Sequence, residues 1–323
     1  MEREKGFFIN SGMIRGIAIL SLTLLAVVLI PFIGPVAVIM TPLPILYFWF
    51  RLGRIQGLAA LTIAILVVSV ILSLLGRPAS ISVLMMISLT GIIIAEVLQR
   101  RYSIEKTFVL ASLVLFFSGI GFVLYYALQT GAAPWRLVEM YIAGIIKENL
   151  KLYAQMNISE DQINMIRENI PEITQFFTSI FPALALSGAI LTVWLNVLSG
   201  RLLLRSHAEG FPDFGDLTLW KAPEKLVWLL ITSGLMVLAP VDILEIIGIN
   251  LLIVCCLVYL FQGLAITGFF FRLKKVPVIF RWLFYMLLVV QQYMVILVIA
   301  FGLFDIWIDF RKRIAGIKKD VHA

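Results

Sequence analysis

Long apolar runs broken by short polar intervals cover most of this chain, and the breaks carry the positional information. Nine runs enter the account as candidate membrane spans: residues 14–32, 35–50, 57–75, 81–98, 107–129, 173–198, 226–238, 244–271 and 278–308. A hydrocarbon layer about 30 Å thick takes about 20 helical residues to cross, so 226–238 is marginal and most of the others suffice. The pattern predicts an all-α, polytopic membrane protein with about eight to ten transmembrane helices.

The second run is irregular. Pro35, Pro42 and Pro44 each withhold a backbone donor, so a straight helix is expected to begin near Pro44. Residues 33–43 then form an irregular segment at membrane depth, where such backbone must be covered by protein or a polar cavity; it is a candidate lid or site wall. The one long polar interval, 131–172, splits into two helical pieces. In the first, Val138, Tyr141, Ile142, Ile145, Ile146, Leu150 and Tyr153 share an apolar face opposite Arg136, Lys147, Glu148 and Lys151, as in a helix lying on a bilayer. In the second, Ser159 and Gln162 have capping-box spacing and Pro171 limits the end. An Asn157 to Ser159 sequon match is too short to carry weight.

Short loops rich in Lys and Arg mark the cytoplasmic side. Arg51 and Arg54, then Arg100, Arg101 and Lys106, then Arg201, Arg205, Lys221 and Lys225, then Arg272, Lys274, Lys275 and Arg281 alternate with base-poor loops, which puts the N-terminus inside. Nine full crossings would leave Arg311, Lys312, Arg313, Lys318 and Lys319 outside. The expected resolution is an even count, with 278–308 folding back near Gln291 and Gln292 or one span between 226 and 271 not crossing. The first span is read as retained rather than as a cleaved signal peptide, since no small-residue cleavage site follows it.

Composition agrees. Hydrophobic residues make up 61% and charged residues 14% of the 323, with a mean hydropathy of +1.03, well beyond soluble domains at about 45–50% apolar and about 25% charged. The net charge of +7 lies in clusters beside spans, which argues for membrane orientation and against nucleic acid. Tyr47, Phe48, Trp49 and Phe50 ahead of Arg51 fit an interfacial aromatic belt. Cys255 and Cys256 are adjacent in an apolar run and fit neither a disulfide with each other nor a metal site.

No phosphate-binding loop, zinc-helix motif or Ser/His/Asp pattern is present, and the histidines, His207 and His322, lie in a loop and at the tail. No catalytic residue, cofactor or metal ligand is expected, and the chain is not read as an enzyme. Candidate functional positions are the polar groups inside spans, where an unpaired one costs several kcal/mol. Glu96 could pair with Arg100 one turn on. Asn196 and Asn250 could join helices or touch a ligand, and Gln262 precedes Gly263 where a second backbone can approach. Asp305 and Asp309 have the spacing of one helical face, bridgeable by a cation or by Arg311 or Arg313; with Trp307 the run reads equally as a membrane-exit anchor. Gly53 with Gly57, Ala183 with Ser187 and Ala185 with Ala189 mark close-packing faces.

Asn250, the Gln262 and Gly263 pair, and the closing run from Gly302 through Asp305, Trp307, Asp309 and Phe310 to Arg311 give the chain a resemblance. It resembles the YybS-like family of bacterial predicted membrane proteins, grouped under a domain of unknown function. The resemblance implies that the first six helices, about 14–205, are similar to substrate-binding components of energy-coupling-factor transporters, with 33–43 where those proteins have a substrate-covering loop. The chain departs from that pattern at Ala18, which is followed four residues later by Leu22 and not by a second alanine.

The division expected is a six-helix unit, 1–205, carrying the insertion at 131–172, then C-terminal helices and a basic tail, 206–323. The function expected is a solute-binding or transport component of the bacterial inner membrane, without its own ATPase, with an outward cavity walled by 33–43 and 131–172. The alternative is a membrane scaffold that recruits a membrane or cytoplasmic protein partner through its basic loops.

Overall fold

The computed structural model describes residues 11–30, 38–77, 80–153, 155, 159–204 and 211–316. Among these every regular element is helical, and each of the nine apolar runs is a helix or, for 278–308, a helix pair. Six helices are long and apolar enough to cross a membrane, or seven with the bent pair counted as one span. The protein is a multi-pass membrane protein.

The chain divides into two compact units, 1–122 with 188–214, and 123–187 with 215–323. The insertion therefore groups with the C-terminal helices and not with the N-terminal ones.

The first unit holds α1 (Ser11–Leu29), α2 (Pro42–Leu52), α3 (Arg54–Leu74), α4 (Ser80–Gln99), and parts of α5 (Ile104–Thr130) and α8 (Ile170–Leu204). The helix α2 begins at Pro42, earlier than the expected Pro44. Both prolines fall in its first turn, where no amide hydrogen is needed by the ladder. Residues 38–40 are also helical and 41 is a turn; the rest of the expected irregular segment, 33–37, lies outside the described residues. Gly53, at φ 86°, turns the chain from α2 into α3. A Cβ on Gly57 would lie 2.9 Å from Trp49 Cα, so glycine alone lets these helices meet this closely. Met13, Leu20, Leu24, Phe48, Leu61, Val68 and Leu72 form one core, and Leu46, Trp49, Ile94, Leu98, Val193 and Val197 a second.

The second unit holds α6 (Pro134–Tyr153), α7 (Glu160–Glu168), the start of α8, a 3-10 turn at Leu217–Leu219, and α9 (Leu226–Val237). It continues with α10 (Asp242–Leu273), α11 (Val278–Val290), α12 (Gln292–Ile308) and α13 (Phe310–Ile314). Ser159 is the N-cap of α7, but its side chain makes no capping bond, so the expected capping box does not form. Residues 157 and 158 of the sequon, His207, Arg205, and the tail from 317 with Lys318, Lys319 and His322 lie outside the described residues.

Residues 278–308 bend by 108° at Gln291, where one of the two expected alternatives placed a fold-back. The αL residue Asp309 then ends α12. The helices α10 and α12 cross on two glycines: a Cβ on Gly263 would lie 2.0 Å from the Val298 carbonyl oxygen, and one on Gly302 the same distance from that of Tyr259. The two backbones touch, as the Gln262 and Gly263 pair suggested.

Candidate functional site

The start of α8 carries Pro182 inside a 35-residue helix. Proline has no N–H, so the carbonyl of Thr178 loses its ladder donor, and the pyrrolidine ring crowds that turn. Asn250, from α10, sits across the interrupted turn. Its Oδ1 accepts from the Ala183 amide at 2.9 Å, and its Nδ2 donates to the Ser179 carbonyl at 2.9 Å. Those two backbone groups are an i,i+4 pair that a straight helix would join directly. Nδ2 also donates to Ile246 O at 2.8 Å, which orients the amide from its own helix.

Beside this junction lies a cavity of about 960 Å³ walled by α6, α8 and α10. Arg136, Glu139 and Lys147 line it from α6; Thr174, Thr178, Ser179 and Pro182 from α8; and Ile246, Ile247 and Asn250 from α10. The hydroxyls of Thr174 and Thr178 are buried there without a hydrogen-bond partner among the described residues. Both side chains are more than nine-tenths buried, at 4% exposure. Among the described residues Arg136, Glu139 and Lys147 enter no ion pair. Glu172 stands in the first turn of α8, and Asp242 and Glu245 in that of α10. Both helices are longer than about 20 residues, and their charged starts put the cavity at a membrane interface.

Part of the expected wall is here: the insertion supplies α6. None of the described residues of 33–43 lines the cavity, and α10, which lies beyond the expected six-helix unit, forms a wall instead.

The other sequence candidates fall in separate places. Asp305, Gln262 and Arg311 form one buried network. Asp305 Oδ2 accepts from Gln262 Nε2 at 3.1 Å and from Arg311 Nη1 at 2.7 Å, while Oδ1 accepts from the Phe310 amide at 2.8 Å. Gln262 Oε1 accepts from the Ala222 amide at 3.1 Å, and Arg311 donates to the Thr218 and Trp220 carbonyls at 3.1 and 2.7 Å. The loop carrying these groups is shaped by Asp216, which caps the 3-10 turn through the Thr218 amide at 3.1 Å and pairs with Arg272. Burial works against the Asp216 carboxylate, but the bonds from Thr218 and Arg272 outweigh it and hold its pKa below the ordinary value.

Asp305 and Asp309 do not share a helical face, because Asp309 at φ 47° breaks the helix between them. Arg311 bridges Asp305 alone; Asp309 meets Lys221 at 3.4 Å and Lys312 at 3.2 Å. Burial works against Asp309 too, but bonding to Lys312 and the charge of Lys221 leave its pKa lowered.

In the first unit Glu96 pairs with Arg54 of α3 at 3.2 Å, not with Arg100. An i,i+4 neighbour on the same helix loses to a residue that packing brings closer. Asn196 is fully buried and donates to the carbonyls of Ile39 and Thr192, each at 2.7 Å. None of Glu96, Asn196, Gln262, Asp305, Asp309 and Arg311 lines the cavity; of the sequence candidates Asn250 does.

Thr174, Thr178, Arg136 and Lys147 were not among the sequence candidates for a site. A signal was present in the threonine pair one turn apart, four residues ahead of an in-span proline. Threonine in a span is easily discounted because its hydroxyl can bond its own helix backbone.

The fold and these buried polar networks define an all-helical, multi-pass integral membrane protein. It belongs to the family described as Predicted membrane protein (DUF2232), which matches residues 18–306. No curated protein and no solved structure matches the chain.

Proposed function

We propose that the protein is a solute-binding or transport component of a bacterial cytoplasmic membrane, lacking an ATPase of its own and with its N-terminus inside. The observation that carries this reading is the cavity of about 960 Å³ at Asn250, with threonine hydroxyls and charged side chains that have no partner among the described residues. Buried hydroxyls without partners are costly, and a ligand that accepts from them removes the cost. A scaffold packed solid between its helices has no need of them. The same reading takes the first six helices to be similar to substrate-binding components of energy-coupling-factor transporters, as the resemblance implies.

The scaffold alternative draws support from the exposed cations Lys274 and Lys275 after α10. Native mass spectrometry of the detergent-purified protein, before and after exposure to a metabolite extract, decides between the two. A reproducible small-molecule adduct lost on unfolding supports the binding reading. A clean apo mass in both cases moves the function to the scaffold.

A further inference from the structure

We propose that the cavity takes an amphiphile whose head group carries one negative charge, an inference that rests on the solute-binding reading and names its ligand class. Arg136, Glu139, Met140, Ala143 and Lys147 all line the cavity from α6, at spacings that put them on one side of that helix. Two cations and one carboxylate leave this wall a formal charge of +1, and among the described residues none of the three is in an ion pair. A single anion balances that wall, whereas a second negative charge would meet Glu139.

The facing wall supplies donors. The Thr174 and Thr178 hydroxyls stand one turn apart on α8, buried and unpartnered among the described residues, and each can donate to an anionic oxygen once the ligand displaces the side chains packed over it. Asn250 is committed to the α8 backbone, so the free hydrogen-bonding capacity of this wall is the hydroxyl pair together with the amide of Gln175, which also lines the cavity. The third wall, from α10, presents Ile246, Ile247 and Leu251 beside Asn250, whose amide is already engaged. A wholly polar solute would strand it, while an apolar chain covers it. The shared chemistry, an anionic head on an apolar body, is met both by a lipid of the bilayer and by a free amphipathic acid.

The test uses the full-length protein in a neutral detergent and isothermal titration with dihexanoyl phosphatidylglycerol, dihexanoyl phosphatidylcholine and decanoate. Phosphatidylglycerol or decanoate is expected to bind at least about tenfold more tightly than the zwitterionic lipid, a difference of one charge-assisted contact. Binding of phosphatidylglycerol alone identifies a lipid head group, and of decanoate alone a free acid. Arg136→Gln with Lys147→Gln should abolish that preference and Thr178→Val should weaken binding, while Lys151→Gln, outside the cavity, leaves it unchanged. The charged side chains replaced are exposed, and unchanged melting of the variants confirms intact folding. Phosphatidylcholine bound as tightly as whichever anion binds, or a preference that survives the Arg136 and Lys147 substitutions, overturns the proposal. If no probe binds while native mass spectrometry still shows a retained solute, the ligand class falls and the binding reading stands. If neither is seen, both fall.

Discussion

Asn250 bridges the turn of α8 that Pro182 interrupts, joining the Ser179 carbonyl to the Ala183 amide through one side-chain amide. The interruption and its repair thus come from different helices, and the cavity opens beside them. This makes Asn250 a test of how the site is held.

Replacing Asn250 by Ala should cost about 1–2 kcal/mol of stability, because backbone groups of α8 lose their partners in an apolar setting. In a Pro182→Ala background, where the helix can close its own ladder, the same replacement should cost clearly less. Unfolding in mixed micelles, run as a double-mutant cycle, measures the coupling. Equal costs in both backgrounds contradict the bridging role.

The crossing of α10 and α12 should tolerate no side chain at Gly263 or Gly302. A Cβ at either would sit 2.0 Å from a backbone oxygen, so the helices must separate, and either Gly→Ala change should cost at least about 2 kcal/mol. Gly119→Ala and Gly121→Ala, with nothing within 4 Å, serve as controls and should leave the melting temperature unchanged or raised. Unaltered melting of Gly263→Ala would remove the close crossing from the account.

Asp305 and Arg311 should behave as a unit. Asp305 is 2% and Arg311 6% exposed, so Asp305→Ala or Arg311→Ala leaves a buried charge alone, at a cost of about 3–5 kcal/mol. The combination Asp305→Leu with Arg311→Met should cost less than either single change. Summed penalties in the pair would mean that the two side chains are not coupled.

Acid should loosen the 216–222 loop and the start of α13 together. Asp216 and Asp309 have folded pKa values lowered from the ordinary carboxylate value by their hydrogen bonds and cationic neighbours. The stability they contribute is fully present above the unfolded carboxylate pKa and is lost as pH falls through the lowered folded values. Both are partly exposed, so the loss is modest. Limited proteolysis of this loop across an acid titration checks it, and Asp216→Asn should remove part of the pH dependence; accessibility that rises with pH instead would reverse the sign.

The helices were legible because the bilayer imposes one requirement on every span, apolar length, which six of the nine runs meet alone and 278–308 meets as a bent pair, while those at 35–50 and 226–238 form shorter apolar helices. The break at Gln291 was half legible from charge, since a fold-back there was one of two ways to keep the basic tail with the other basic loops, the other being a span between 226 and 271 that does not cross. The pairings were not. Asn250 and Asn196 bond to backbone atoms, which any residue carries and no pattern marks. Glu96 chose Arg54 over Arg100 through a contact between α3 and α4, invisible to spacing along one helix. Asp309 reads as helical by periodicity, yet takes the left-handed conformation that lets Arg311 turn back to Asp305. The cavity was the least legible feature: its donors are threonines, and one of its walls comes from beyond the six helices that resemblance pointed to.

The central claim is that the cavity beside Asn250 holds a small molecule. Native mass spectrometry of the purified protein alongside an Ala143→Trp variant, which projects an indole into the cavity from α6, tests it most directly. The account predicts a bound mass on the unsubstituted protein that is absent from an equally well-folded variant. The same mass retained on both, or found on neither, contradicts it.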